Sequence, residues 1–337
     1  MILPQRWGFV KNKREYERES EADMAMYLTE ADVTGLLTMK EAVEALDGAF
    51  IRQADGLVIN QPRRRLHMPN GTFHAMAAAD LGLGTYATKV YSSFKPQTRS
   101  FVLLFSAENG DLLATMEGER LGQVRTGAAS GIATKYLTDP AKPVTVGIFG
   151  TGWQAEGQLA AVCAVRKVES ITAYGRHVER CAAFCDKMTT MLGVPVRPAA
   201  EPEEAVAGKS VVITITSSKE PLFEGEWLSP GAHINAAGSN MLIKREIDDL
   251  TVQRSGLIVV DSIEQAKLES GDLLPAFEKR LFRWEKVVEL SDVVAGRCAG
   301  RTAADQITLF KSIGIALEDT AVATLVYNKA ISAGRTS

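Results

Sequence analysis

Residues 144–155 constrain the fold of this chain more than any other segment. Val144–Phe149 is a mostly apolar run, and Gly150-Thr151-Gly152-Trp153-Gln154-Ala155 follows it without a break. A helical pattern then continues from about Trp153 to Val165. A G-x-G-x-x-A loop between an apolar strand and a helix has the context of a dinucleotide-binding turn, which two nearby glycines alone would lack. Gly150 makes the tight turn, Gly152 leaves the backbone open to a pyrophosphate, and Ala155 keeps helix and strand close. The free N–H groups of the first helical turn then receive phosphate charge.

The pattern around this loop extends the reading. After Pro143, apolar runs at Ile171–Tyr174, Val194–Val196, Val211–Thr216, His233–Ala237 and Leu257–Val260 alternate with helical stretches, which predicts a parallel sheet covered on both faces. Before it, the texture is extended. Thr72–Ala77, Thr85–Tyr91 and Phe101–Phe105 are separated by turn residues, and Asn109-Gly110 is a strong hairpin signal. Thr29-Glu30-Ala31-Asp32 reads as a helix cap. A second helix follows Thr38, with Ala42, Val43, Leu46, Phe50 and Ala54 on one face and Gly56 as its stop. The fold class is therefore α/β: a Rossmann domain over 131–305, and an α+β domain from 28–130 and 306–337 that the last helix, Thr308–Lys329, rejoins. Residues 1–27 read as a charged extension.

Composition excludes several classes. Thirty-eight basic against 41 acidic residues leave a net charge of −3, without the basic excess of a nucleic-acid protein. No apolar run approaches a membrane span, and Lys11–Glu21 is charged where a secretion signal needs an apolar stretch. Four cysteines, at 163, 181, 185 and 298, form neither a disulfide framework nor a metal-finger spacing and read as thiols of a reducing cytoplasm. No metal site is expected.

The second Rossmann strand bears on cofactor choice. An acid at its tip would bind a ribose 2′-hydroxyl. Here the tip is Gly175-Arg176-His177, with Arg180 one turn later. Arginine attracts a 2′-phosphate and offers it a fork of donors, so NADP(H) is favoured over NAD(H). Thr216, Ser217 and Ser218 end a strand where ligands of such sheets lie.

Several further blocks occur in order: Pro62-Arg63, Ala87-Thr88-Lys89, Arg125-Thr126-Gly127-Ala128-Ala129, the glycine loop, Pro230 to Gly238, Glu269-Ser270-Gly271-Asp272 and Leu309-Phe310-Lys311-Ser312. With them the chain resembles the ornithine cyclodeaminase/mu-crystallin family from about residue 29 onward, closest to its ketimine-reductase branch. The resemblance implies a homodimer paired through the first domain, and redox chemistry on a small imino or amino acid. It implies that Arg63, Lys89 and Arg125 hold the substrate carboxylate, and three cations in one cleft suit such an anion on physical grounds. Arg125 is expected to head the small-residue helix. Cofactor contacts are implied for Arg125, Thr126, Gly150, Thr151, Gly152, Trp153, Gln154, Arg176, His177, Arg180, Thr216, Ser217, Ser218, Ala237 and Ser312. Asn240 stands where family cyclodeaminases carry an aspartate, and an amide has no useful acid–base titration. Cyclisation of ornithine with loss of ammonia is therefore expected to be poor, and reduction of a C=N bond with NADPH is the expected chemistry. Lys89, or a water near Asn240, would supply the proton. The alternatives are an amino-acid dehydrogenase, a cyclodeaminase, or an NADPH-dependent binding protein without turnover.

Overall fold

A computed structural model describes residues 25–94 and 97–335. The charged extension, including Lys11–Glu21, lies outside the described residues apart from its last positions.

The first sheet has six strands: β1 (Met26–Leu28), β2 (Val58–Met68), β3 (Gly71–Asp80), β4 (Thr85–Phe94), β5 (Gln97–Ser106) and β6 (Leu112–Glu117). Their order is β1-β6-β5-β4-β3-β2, antiparallel except for the β1–β6 pair. The expected hairpin joins β5 to β6, with Gly110 in the left-handed region at φ +83. Thr29 and Thr38 each close a capping box, with Asp32 and Glu41 respectively. These boxes start α1 (Glu30–Leu36) and α2 (Met39–Ala54). Ala42, Val43, Leu46 and Phe50 of α2 are buried as their spacing predicts.

The second sheet has eight strands, all parallel. It includes β7 (Val144–Phe149), β8 (Val168–Tyr174), β9 (Val196–Pro198), β10 (Val211–Thr214), β11 (His233–Ala236), β12 (Leu257–Val260) and β13 (Val287–Glu289). Its eighth strand is β14 (Thr308–Lys311), inserted between β11 and β12. The segment expected to begin the last helix at Thr308 is therefore a buried parallel strand. The helix itself, Ala316–Ser332, follows only after Gly314, at φ +76, has turned the chain. A short apolar run such as Thr308–Phe310 fits either element by periodicity, and its neighbours β11 and β12 decide it.

That helix packs on the first sheet, burying Leu317, Val322 and Val326 in one core with Leu46, Phe50, Val102 and Leu104. The expected boundaries shift accordingly. Residues 306–311 belong with the parallel sheet, and the 130/131 division falls inside one continuous helix, α3 (Glu119–Leu137). This helix is almost wholly buried between the two sheets, which its run of Gly, Ala and Ser permits. It crosses α4 (Trp153–Val165) closely: a Cβ on Gly127 would lie 2.3 Å from Gly157 O, and one on Gly131 3.1 Å from Ala161 Cβ. All four cysteines are free; Cys181 and Cys185 are buried.

Candidate active site

Two cavities meet between the sheets. One, of about 850 Å³, lies along the carboxyl ends of β7, β8 and β10 and is lined by the glycine loop from Gly150 to Gln154, Arg176, His177 and Thr216–Lys219. The other, of about 620 Å³, is lined by Arg63, Lys89, Tyr91, Arg125, Thr126 and Asn240. Trp153, Gln154, Ile215 and Gly238 line both, so the two form one continuous cleft. This is where ligands of an open parallel sheet bind, outside the strand ends.

The glycine loop is shaped for phosphate. Gly150 has φ +106, and a Cβ there would lie 2.4 Å from Ile215 O. Gly152 precedes the first helical residue, and nothing lies within 4 Å of where its Cβ would be. The cavity wall carries no acid among its described residues, while Arg176 and Lys219 bring positive charge to it. Buried Glu246 ties the two ends of this floor together. It accepts hydrogen bonds from Thr214 Oγ1, Thr216 N, Thr216 Oγ1 and Gly238 N. The hydroxyl of Thr216 is therefore directed at Glu246. The structure does not bring Arg180 into either cavity; it stands exposed on the next helix.

The expected substrate cations do converge. Arg63 and Lys89 project from β2 and β4, and both are buried. Arg63 and Arg65 share Glu269, at 2.5 and 2.7 Å, while the intervening Arg64 is exposed, as alternation on a strand requires. Arg125 does not head its helix. It sits in the second turn, where its side chain reaches the cavity while the helix stays packed. The last helix supplies what holds these cations: Lys89 Nζ lies 2.8 Å from Asp319 Oδ1, and Arg125 reaches Glu318 at 2.7 Å and Asp319 at 3.2 Å.

These acids orient the cations without neutralising them. Four cations face three carboxylates, Glu269, Glu318 and Asp319. Burial pushes Glu318 up to about 8 despite Arg125 beside it, so near neutral pH it carries a proton for much of the time. Burial also lowers the Lys89 ammonium below its ordinary range, against the pull of Asp319. Burial opposes the charge of Arg125 too, but Asp319 and Glu318 outweigh it and raise its pKa further. For Asp319 burial opposes ionisation, and Arg125 with Lys89 outweighs it and keeps the carboxyl ionised. Arg63 Nε is buried without a hydrogen-bond partner among the described residues. A charged donor left in this state is what an incoming carboxylate would satisfy.

Asn240 lines the cavity beside Ala237 and Gly238, and its backbone carbonyl accepts from Arg65 Nη2 at 2.8 Å. Ser312 lines a small annex with Arg125 and Thr126, its hydroxyl 3.3 Å from Asp261. Sequence reasoning missed Tyr91, Arg99, Glu119 and Gly122 in the cavity wall. It also missed Glu318 and Asp319; the available signal was two adjacent acids in a stretch from Ile315 to Val326 that otherwise holds only apolar residues, Thr320 and Thr324. Among the described residues no group of His, Cys, Asp and Glu is placed to hold a metal, and no helix is long and apolar enough to cross a membrane.

A parallel sheet with this glycine loop, opening on a cationic cleft between two sheets, defines a nicotinamide-dinucleotide-dependent oxidoreductase. The chain belongs to the ornithine cyclodeaminase/mu-crystallin family, whose model matches residues 23–334. It is 37% identical over 295 residues to the ketimine reductase mu-crystallin of Mus musculus, covering 85% of this chain and 90% of that one. Among solved structures it is similar to Thermococcus litoralis Δ1-pyrroline-2-carboxylate reductase in complex with NADH and L-proline, at 34% identity and a TM-score of 0.88, covering 93% of this chain and 99% of the other. It is also similar to an archaeal alanine dehydrogenase dimer with bound NAD, at 33% identity and a TM-score of 0.87, covering 93% and 98%.

Proposed function

We propose that this protein reduces the C=N bond of a small cyclic imino acid, taking the hydride from NADPH. The observation that carries the reading is the shared wall of the two cavities. Trp153, Gln154, Ile215 and Gly238 line both, so the glycine loop and the cluster of buried cations open on one cleft. The mouse ketimine reductase and the proline-bound archaeal reductase favour the same chemistry.

The glycine loop fits a dinucleotide: an open backbone at Gly152, a left-handed Gly150 and no acid in the lining. The bound nicotinamide supplies hydride at its C4. The chain does the rest. Arg63, Lys89 and Arg125 hold the imino acid's carboxylate so that its α-carbon is fixed against the ring. We assign the proton given to the nitrogen to Lys89, whose depressed pKa and two N–H groups beyond its bond to Asp319 support the role. Asn240 offers hydrogen bonds there and no titration, which favours reduction over loss of ammonia.

Arg176 at the tip of β8 supports NADPH over NADH, because it lines the cavity where a 2′-phosphate would lie. Four free thiols fit a reducing cytoplasm. The dimeric neighbour supports a homodimer, and we assign its pairing to the unit made of the six-stranded sheet and the last helix, which also carries the substrate cations Arg63 and Lys89.

The test is consumption of NADPH with Δ1-pyrroline-2-carboxylate. Turnover is expected, with Lys89→Met lowering kcat/KM by at least a hundredfold. Binding of NADPH without turnover of any imine or oxo acid would reject the reading. For the cofactor, Arg176→Asp is expected to raise KM for NADPH far more than for NADH.

A further inference from the structure

The cavity that gathers Arg63, Lys89 and Arg125 has a single carboxylate among its described lining residues, Glu119. Glu119 is the first residue of α3, and its backbone N–H donates to Glu30 Oε1 at 2.6 Å. Its side chain has no hydrogen bond or ion pair among the described residues, whereas Glu269, Glu318 and Asp319 are all taken up by cations. Arg99, at the same rim, has an interaction of its own and forms no salt bridge with Glu119.

Its position relative to the carboxylate anchor follows from the helix. A Cβ on Gly122 would lie 2.9 Å from Lys89 Nζ, so the ammonium rests against that turn. Glu119 is three residues earlier, about 4.5 Å along the axis at 1.5 Å per residue. Glu119 is exposed and lines the same cavity as Arg63, Lys89 and Arg125, so an imino acid held by those cations shares the cleft with its carboxylate.

We propose that Glu119 is a specificity-determining residue, selecting imino acids whose end remote from the carboxylate is neutral or cationic and rejecting those with a second carboxylate there. The inference rests on the reading of this cavity as an imino-acid site. A like charge facing Glu119 across a partly wet cleft is repelled, and a like-charge contact of this kind is how sites discriminate against near relatives of their ligand.

The test separates this inference from the reaction itself by measuring binding. NADPH-loaded protein is titrated calorimetrically with pyrrole-2-carboxylate and with pyrrole-2,5-dicarboxylate, planar unreactive rings that differ at the far end. The wild-type protein is expected to prefer the monocarboxylate at least tenfold. Glu119→Gln should narrow that preference to about threefold or less, and Glu119→Lys should abolish or reverse it. An unchanged ratio in both variants, a wild-type preference for the dicarboxylate, or no binding of either ring would overturn the proposal. Failure to reduce pyrroline-2-carboxylate alongside a Glu119-dependent ratio would reject the reductase reading alone.

Discussion

Gly122 shows how little space the Lys89 ammonium has. Because a methyl there would press on Lys89 Nζ, which Asp319 holds at 2.8 Å, Gly122→Ala must displace the ammonium by a few tenths of an ångström. Misplacement of a positioning group by less than an ångström is costly to catalysis. KM for the imine is expected to rise about tenfold, with the NADPH dissociation constant unchanged; fluorescence titration of the cofactor separates the two. Glu318 carries a second prediction. Its pKa is raised in the fold to about 8 from an unfolded value of 4.5, so between those values the folded state binds more protons than the unfolded one. Stability attributable to this group is complete below pH 4.5 and declines as pH rises to about 8. Glu318→Gln removes that slope. Between pH 5 and 8 its Tm should fall less, or rise more, than that of the wild type in parallel calorimetric scans.

Among elements, the crossing of α3 and α4 sets the distance between the substrate cations and the glycine loop, since Arg125 lies on one helix and Trp153 begins the other. Gln123 donates to Trp153 O and Gln158 Nε2 to Thr126 O at 3.2 Å, so the pair is stitched at its active-site end. Gly→Ala in a helix gains about 1 kcal/mol of intrinsic propensity, and overpacking costs about 1–3 kcal/mol. A Cβ at Gly127 meets backbone at 2.3 Å, whereas one at Gly131 meets the Ala161 methyl at 3.1 Å and its carbonyl oxygen at 3.2 Å, contacts that a few tenths of an ångström relieve. Gly127→Ala is therefore expected to be destabilising by about 1–2 kcal/mol and to lower activity, and Gly131→Ala to be near neutral, as read by urea unfolding. At this scale β7, β12 and α4 could be read in the sequence to the residue, because length, apolar runs and the glycine loop all agreed. The strand Thr308–Lys311 could not, since only its neighbours in the sheet distinguish it from a helical turn. Arg63, Lys89 and Arg125 were legible through block order. Glu318 and Asp319 were not, because their pairing exists only once the last helix has crossed to the first sheet.

In the molecule as a whole, the first sheet ends at β2, whose Ile59, Leu66 and Met68 are 55%, 65% and 42% exposed. An open edge strand with apolar side chains is an association surface unless something covers it. Covering it in the proposed dimer leads to a simple expectation: sedimentation velocity should give a dimer for the wild type, and Leu66→Glu should shift it to a monomer at micromolar concentration. A dimer unaffected by Leu66→Glu would place the interface elsewhere.

The carboxylates that steady Lys89 and Arg125 are separated from them by 230 and 193 residues along the chain. A ribosome that has released the first three hundred residues has therefore produced both cations and the phosphate turn, but neither acid that aims them. Contacts closed over such spans form late and slowly. The ability of the nascent polypeptide to grip a substrate therefore begins only once the helix Ala316–Ser332 has been made and has crossed to the first sheet.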